Sequence, residues 1–260
     1  MASRFPSPPT DRRVALVTGG GRGIGAATAR ALAADGWDLC LGYRADADAA
    51  RQVAAQCEAQ GVRALAVEVD VADERAIGRL FGTLDGAWAP GRLGALVNCA
   101  GVVAPAARVE EMDAARLTRM FAVNVTGSFL CAGAAVRRMS TRQGGTGGVI
   151  VNVSSAASRL GSPGEYVDYA ASKGAIDTMT IGLAREVAEE GIRVVAVRPG
   201  VIDTTIHASG GQPDRAARVR TQIPMQRVGR PEEVASTIAW LCGDGATYVT
   251  GALLDVSGGR

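Results

Sequence analysis

Val14-Ala15-Leu16-Val17-Thr18-Gly19-Gly20-Gly21-Arg22-Gly23-Ile24-Gly25 runs from a short apolar stretch into clustered glycines, and Ala26-Ala27-Thr28-Ala29-Arg30-Ala31-Leu32-Ala33 follows at once. An apolar run, a glycine cluster and an alanine-rich segment in that order read as strand, tight turn and helix. Glycines let the backbone bend sharply and approach a ligand with no Cβ in the way. The helix start offers free N–H groups and the positive end of a dipole, which suits a pyrophosphate. Gly19, Gly23 and Gly25 meet the general dinucleotide fingerprint only loosely. A glycine-rich hairpin is the alternative, and the helical pattern downstream argues for phosphate binding.

Outward from this turn, apolar runs recur at Asp38 to Gly42, Ala64 to Val69, Ala95 to Val97, Val149 to Val153, Arg193 to Val197 and Leu253 to Val256, separated by helix-length stretches. Runs that are apolar on both faces belong in a parallel sheet covered on both sides, so the fold expected is α/β and doubly wound. The chain has 260 residues, 47 % of them hydrophobic, which suits one large core. Residues 12–260 are assigned to that single domain and residues 1–11 to a disordered lead-in. Met1 to Arg13 carry three prolines and no long apolar stretch, so they do not read as a signal peptide, and no later run reads as a membrane span.

A formal charge of +2 with mixed signs gives no reason to invoke nucleic acid. Five scattered cysteines, Cys40, Cys57, Cys99, Cys131 and Cys242, lack paired metal spacing. They read as reduced, buried thiols of a cytoplasmic protein without a metal site.

Tyr169 and Lys173 stand four residues apart in Tyr169-Ala170-Ala171-Ser172-Lys173. On a helix they share a face, and the ammonium favours loss of the phenol proton. Moving a phenol pKa from about 10 to about 7 takes roughly 4 kcal/mol of differential stabilisation. A lysine in bulk water supplies only about 1 kcal/mol, so such a site must be partly dry. A solvated helix face shows the same spacing, and the pair acquires meaning only in company.

Taken together, the motifs resemble those of the short-chain dehydrogenase/reductase family, over nearly all of Arg12 to Arg260. Its glycine turn is matched by Thr18 to Gly25, its Asn-Asn-Ala-Gly motif by Asn98-Cys99-Ala100-Gly101, and its helix asparagine by Asn124. Its serine is matched in Asn152-Val153-Ser154-Ser155, its catalytic helix by Tyr169 to Lys173, and its Pro-Gly element by Pro199-Gly200-Val201-Ile202-Asp203-Thr204. The resemblance implies a Rossmann-type domain and hydride transfer between a nicotinamide and a carbonyl or secondary alcohol. By resemblance the catalytic residues are Asn124, Ser155, Tyr169 and Lys173. Tyr169 then acts as general acid or base, Lys173 lowers its pKa and binds the nicotinamide ribose, Ser155 holds the substrate oxygen, and Asn124 supports a proton-relay water. Counting back from Gly161 selects Ser155 over Ser154. The cofactor-binding set comprises Gly19, Gly21, Arg22, Gly23, Ile24, Gly25, Arg44, Asp70, Val71, Asn98, Ala100, Gly101, Tyr169, Lys173, Pro199, Gly200, Ile202 and Thr204, the last orienting the carboxamide.

Three departures stand out. The stretch from Ser155 to Tyr169 is one residue longer than is common, an insertion assigned to the turn-rich Gly161 to Tyr166. Cys99 replaces an asparagine, leaving the turn to be held by Asn98 and Gly101. Val195 stands where many relatives carry asparagine. Tyr166 and Asp168 are read as packing or surface residues.

Cofactor choice follows from charge. An acid near the end of the second strand selects NAD, but here Tyr43 takes that place, with Arg44 next and Arg22 in the glycine turn. Two guanidiniums suit a 2′-phosphate, which favours NADP(H) over NAD. The alternative is that Arg44 is solvated and Asp46 or Asp48 approaches the ribose. Asp70 resembles the adenine contact, with an N-cap as its other reading.

Asp203 to Ile223, with the chain's single histidine, His207, falls where the family places a substrate-covering loop. His207 is read as solvent-exposed, with substrate contact the alternative. Helices expected around Asn124 to Met139 and Tyr169 to Glu190 carry Ala132, Gly133, Ala135, Ile176, Met179 and Leu183 on more than one face, which suggests a subunit contact and, by resemblance, a homotetramer. The substrate remains open among a small carbonyl compound, a sugar or polyol, and a 3-oxoacyl thioester. A non-catalytic nucleotide-binding regulator is the reading from another class, and the presence of Ser155, Tyr169 and Lys173 argues against it.

Overall fold

Alternation along the first strand sets the layers. The computed structural model describes residues 12–204 and 219–260. In β1 (Val14–Thr18), Val14 and Leu16 join one core, while Ala15 and Val17 join another on the opposite face. The remaining strands are β2 (Asp38–Tyr43), β3 (Ala64–Glu68), β4 (Leu93–Asn98), β5 (Gly148–Val153), β6 (Ile192–Pro199) and β7 (Leu253–Val256). All pair in parallel in the order β3-β2-β1-β4-β5-β6-β7. The order reverses at β1, so the chain leaves a crevice beyond the carboxyl ends of β1 and β4. This is the doubly wound sheet expected.

One core is closed by α1 (Gly23–Ala34), α2 (Ala47–Glu58) and α8 (Pro231–Cys242), through Leu32, Val53 and Ile238 among others. The other lies under α3 (Glu74–Ala87), α5 (Gly127–Met139) and α7 (Val167–Val187), through Phe81, Met139 and Ile176. Between them come α4 (Ala114–Phe121) and the short α6 (Ala157–Leu160). Asp46, Asp73 and Asp113 cap α2, α3 and α4 by accepting N–H bonds from the first turns.

Two expectations need correction. A π-helical turn, Ala122–Thr126, joins α4 to α5, so the helix read as beginning at Asn124 runs from Ala114 to Met139. An 18-residue window within these 26 residues reaches a mean hydropathy of 1.3, so the helix is long and apolar enough by composition to cross a membrane, against the sequence reading. Half of the apolar window is buried inside the protein, and the helix packs on the sheet, so it is a core helix. Secondly, Ala132, Ala135, Ile176 and Met179 belong to the core on the sheet and cannot form an outward face. The outward apolar side chains of this region are Leu117, Phe121, Phe129 and Val167, of which Phe129 is 52 % exposed.

Candidate active site

At the end of β1 the chain turns back on itself. Gly19 takes φ +69°, and a Cβ on Gly25 would lie 2.2 Å from the Gly19 oxygen, so the helix can dock this closely only with glycine there. The N-terminus of α1 carries no side-chain cap, since Arg22 in the extended N-cap position has no acceptor to offer. The first-turn amides are therefore open to an anion.

Thr18 fixes the opposite wall. Its hydroxyl accepts the N–H groups of Cys99 and Ala100, each at 3.1 Å, where β4 ends. This threonine, and not Asn98 with Gly101, holds the turn that Cys99 alters. Asn98 is buried behind it and donates to Asn152 Oδ1 at 3.0 Å and the Ser128 oxygen at 3.3 Å. Asn152 in turn donates to Thr180 Oγ1 at 2.9 Å, tying β4 and β5 to α7.

Between these walls lies a cleft of about 370 Å³, a volume typical of small-molecule sites. Gly19, Gly21, Arg22, Gly23, Ile24, Arg44, Asp70 and Val71 line one end, with Tyr43, where β2 stops. Ala100, Gly101, Ser155, Tyr169, Lys173, Pro199, Gly200, Ile202 and Thr204 line the rest. Of the expected site residues, Asn98, Asn124 and Gly25 stand behind the wall. From there their packing and hydrogen bonds support it.

Asn124 is wholly buried in the π-turn. Its Oδ1 accepts the Val102 N–H at 2.8 Å, and its Nδ2 reaches the Val102 oxygen and Ser172 Oγ, each at 3.0 Å. It thus pins the loop after β4 to α7. A Cβ on Gly101 would come within 3.4 Å of Asn124 Oδ1 and 3.7 Å of Lys173 Nζ, so the asparagine lies one thin residue away from the lysine.

Tyr169 is the third residue of α7 and half-buried in the cleft. Lys173 follows one turn on, nearly fully buried, with Nζ 5.7 Å from the Tyr169 ring centre and donating to the Val153 oxygen at 2.7 Å. Burial pushes the ammonium down from 10.5 to about 8, against the opposing pull of Cys99 and Asp177. Burial likewise pushes the Cys99 thiol up to about 11, with Lys173 opposing. The dry environment that the sequence argument required is present. Ser155 Oγ accepts the Ala157 N–H at 3.1 Å on the cleft side, whereas Ser154 is buried and donates to the Lys173 carbonyl at 3.2 Å.

Gly161 to Tyr166 forms the turn between α6 and α7, and α7 begins at Val167. Tyr166 is buried and also borders the cleft. Asp168 is a buried packing residue with a partner the sequence did not reveal, accepting from Arg116 Nε at 2.8 Å. Sequence reasoning also missed Arg119, which pairs with Asp70 at 3.1 Å, and Arg260, which borders the cleft from the far end of the chain. Neither carried a local signal, because each contact joins segments far apart in the chain. Burial alone would lift the Asp70 carboxyl, but the Ala72 N–H and Arg119 outweigh it and hold it below the ordinary range. Asp70 is thus no N-cap, since Asp73 caps α3. His207 and most of the expected lid lie outside the described residues.

A family model described as enoyl-(acyl carrier protein) reductase matches residues 19–260. The uncharacterized oxidoreductase YgfF of Escherichia coli (strain K12) is 53 % identical over 95 % of this chain and 99 % of its own length. The chain is a short-chain dehydrogenase/reductase. The cis-4-hydroxycyclohexanecarboxylate dehydrogenase of Sinomonas cyclohexanicum, 42 % identical over 95 % of this chain and 96 % of its own, is a further similar protein. A Burkholderia cenocepacia J2315 short-chain dehydrogenase, solved in complex with NADP, superposes with a TM-score of 0.87 at 33 % identity, covering 96 % of this chain and 99 % of that one. As a short-chain dehydrogenase/reductase, this protein is an oxidoreductase that moves hydride between a nicotinamide cofactor and a carbonyl or secondary alcohol carbon.

Proposed function

We propose that the protein is an NADP(H)-dependent reductase of small ketones and dehydrogenase of the matching secondary alcohols, with Tyr169 as its general acid and base. The observation that carries this reading is the buried Lys173 beside Tyr169, in the same cleft as Ser155 and the open N-terminus of α1. A nicotinamide dinucleotide supplies or accepts the hydride when bound.

The cradle that only Gly25 permits and the uncapped first turn of α1 fit a pyrophosphate. Arg22 and Arg44 border the adenosine end with no ion pair among the described residues, and fit a 2′-phosphate. The acids that would favour NAD are engaged elsewhere. Asp46 caps α2, and Asp48 pairs with Arg51 at 2.5 Å. Asp70 and Val71 border the adenine place, Ala100 and Gly101 the opposite wall, and Thr204 with Ile202 the nicotinamide end.

In reduction Tyr169 Oη delivers its proton to the substrate oxygen, and in oxidation it withdraws one. Ser155 Oγ donates a hydrogen bond to the same oxygen. Lys173, held on the Val153 oxygen, lowers the cost of the phenolate, and at pH 7 it remains mostly charged. Asn124 acts as a positioning residue for the loop from Gly101 to Val102 and for a proton path towards Lys173. Val102, Val103, Leu160 and Val201 make the substrate end apolar, which favours compact aliphatic or alicyclic substrates over polyols.

Exposed Leu117, Phe121, Phe129 and Val167 support assembly with further copies of the chain through α4, α5 and α7. A tetrameric mass by light scattering at micromolar concentration is expected, and a monomeric mass would reject it. The fully buried thiols of Cys40 and Cys131, pushed up to about 12 by burial, suit a reducing cytoplasm.

NADPH oxidation in the presence of a panel of ketones tests the activity. Tyr169→Phe lowers kcat by about 10²- to 10⁴-fold while NADPH affinity stays the same. An unchanged kcat removes Tyr169 from the mechanism.

A further inference from the structure

Charged groups on α6, α7, β6 and β7 form an alternating chain. Asp177 pairs with Arg198 at 2.9 Å, Arg198 lies 3.8 Å from Asp255, and Asp255 pairs with Arg159 at 3.3 Å. Arg159 Nη2 then donates to the main-chain oxygen of Arg260 at 2.9 Å, and Ser257 Oγ donates to the same oxygen at 2.7 Å. Each carboxylate of the series meets a guanidinium, and the series ends on the Arg260 main chain, leaving the Arg260 side chain outside it. That guanidinium has no ion pair among the described residues. Its hydrogen bond goes to Gln222 Oε1 at 3.4 Å, a long contact to a neutral amide.

Arg260 is half-buried and borders the same cleft as Ser155 and Tyr169. Ala156, Ala157, Leu160 and Val201 add apolar lining to this cleft. The other cation at this end, Lys173, is held by the Val153 oxygen beside the phenol. The planar fork of Arg260 matches a carboxylate. Two side chains fix the Arg260 main chain, so presenting the guanidinium to a ligand costs little additional ordering.

We propose that Arg260 is a specificity-determining contact for an anionic substrate: the site takes oxo acids and hydroxy acids whose carboxylate meets Arg260 while the reacting oxygen meets Ser155 and Tyr169. The inference rests on the assignment of Ser155 and Tyr169 as the reacting end. It adds no bond-making step.

Hexanoate and hexanamide, nearly equal in size, read the contact without turnover. Titration calorimetry on the NADPH-loaded protein gives the acid at least about tenfold tighter binding, the worth of a hydrogen bond to a charged group. Arg260→Met brings the two affinities together, and Arg260→Lys, which keeps charge without the fork, retains part of the difference. Equal affinities for the unaltered protein, or a difference that survives Arg260→Met, overturn the proposal. In the turnover arm, levulinate, 5-oxohexanoate and 6-oxoheptanoate are compared with their amides. The kcat/KM ratio favours at least one acid by a similar factor and shrinks with added salt. A ratio of one throughout the series overturns the proposal. Failure of the Tyr169 assignment reads differently, as turnover unaltered by Tyr169→Phe, with the binding difference between hexanoate and hexanamide intact.

Discussion

The two ends of the cleft are made of different materials. At the α1 end, what faces a ligand is chiefly main chain: the Gly19 turn, the open amides of α1 and the loop whose Cys99 and Ala100 amides rest on Thr18. At the α7 end it is side chains, Ser155, Tyr169, Lys173 and Arg260, drawn from the loop after β5, from α7 and from the segment after β7. A main-chain cradle tolerates little change because its shape is set by which residues can adopt it. A side-chain pocket can be rebuilt one residue at a time, which is how one fold serves many substrates.

The contrast breaks hardest at Lys173. Lys173→Met lowers kcat by at least about 10²-fold, measured with saturating NADPH. Its effect on stability runs the other way. Burial lowers the folded-state pKa from 10.5 to about 8, so between these values the unfolded chain binds more protons and stability rises with pH. Below about 8 the buried charge is a standing cost, so the methionine variant melts above the unaltered protein at pH 7. The gap closes as pH approaches 10.5. A variant that melts lower at pH 7 would mean that Val153 and Tyr169 compensate the charge in full. For the same reason the rate of carbonyl reduction declines as pH rises through about 8.

The other end sharpens the comparison through Arg44. Arg44→Gln lowers the preference for NADPH over NADH by about 10- to 100-fold, read as the ratio of the two kcat/KM values, with kcat on NADH little changed. An unaltered ratio assigns the 2′-phosphate to Arg22 alone. The smallest effect belongs to Asp46, an acid that borders the same end of the cleft. Asp46→Ala costs about 1 kcal/mol of stability through the lost cap, seen in urea melts, and leaves the cofactor ratio where it was. A shift of that ratio towards NADPH would mean that Asp46 leaves the α2 cap to meet the ribose.

Legibility in the sequence divided along the same line. The strands came through because a two-sided parallel sheet writes its apolar runs locally, and the glycine turn because its residue types are dictated by backbone shape. Tyr169, Lys173 and Ser155 could be placed through spacing and family resemblance. Arg119 beside Asp70, Arg116 beside Asp168 and Arg260 at the cleft could not, since each contact joins distant segments and any exposed arginine looks alike in a sequence. Asp46 and Asp48 were ambiguous until their local partners were seen. The outward apolar face was misassigned because small residues on α5 and α7 pack the sheet so closely that they resemble a subunit contact.

The π-turn at Ala122–Thr126 gives the long helix a phase that an uninterrupted spiral would lack. Excising a single residue there would restore regular winding and swing everything upstream by about 100° around the axis. Arg116 would leave Asp168 and Arg119 would leave Asp70 in one motion, loosening the substrate and adenosine ends of the cleft together. One surplus residue in a coil thus keeps two distant halves of the enzyme in step.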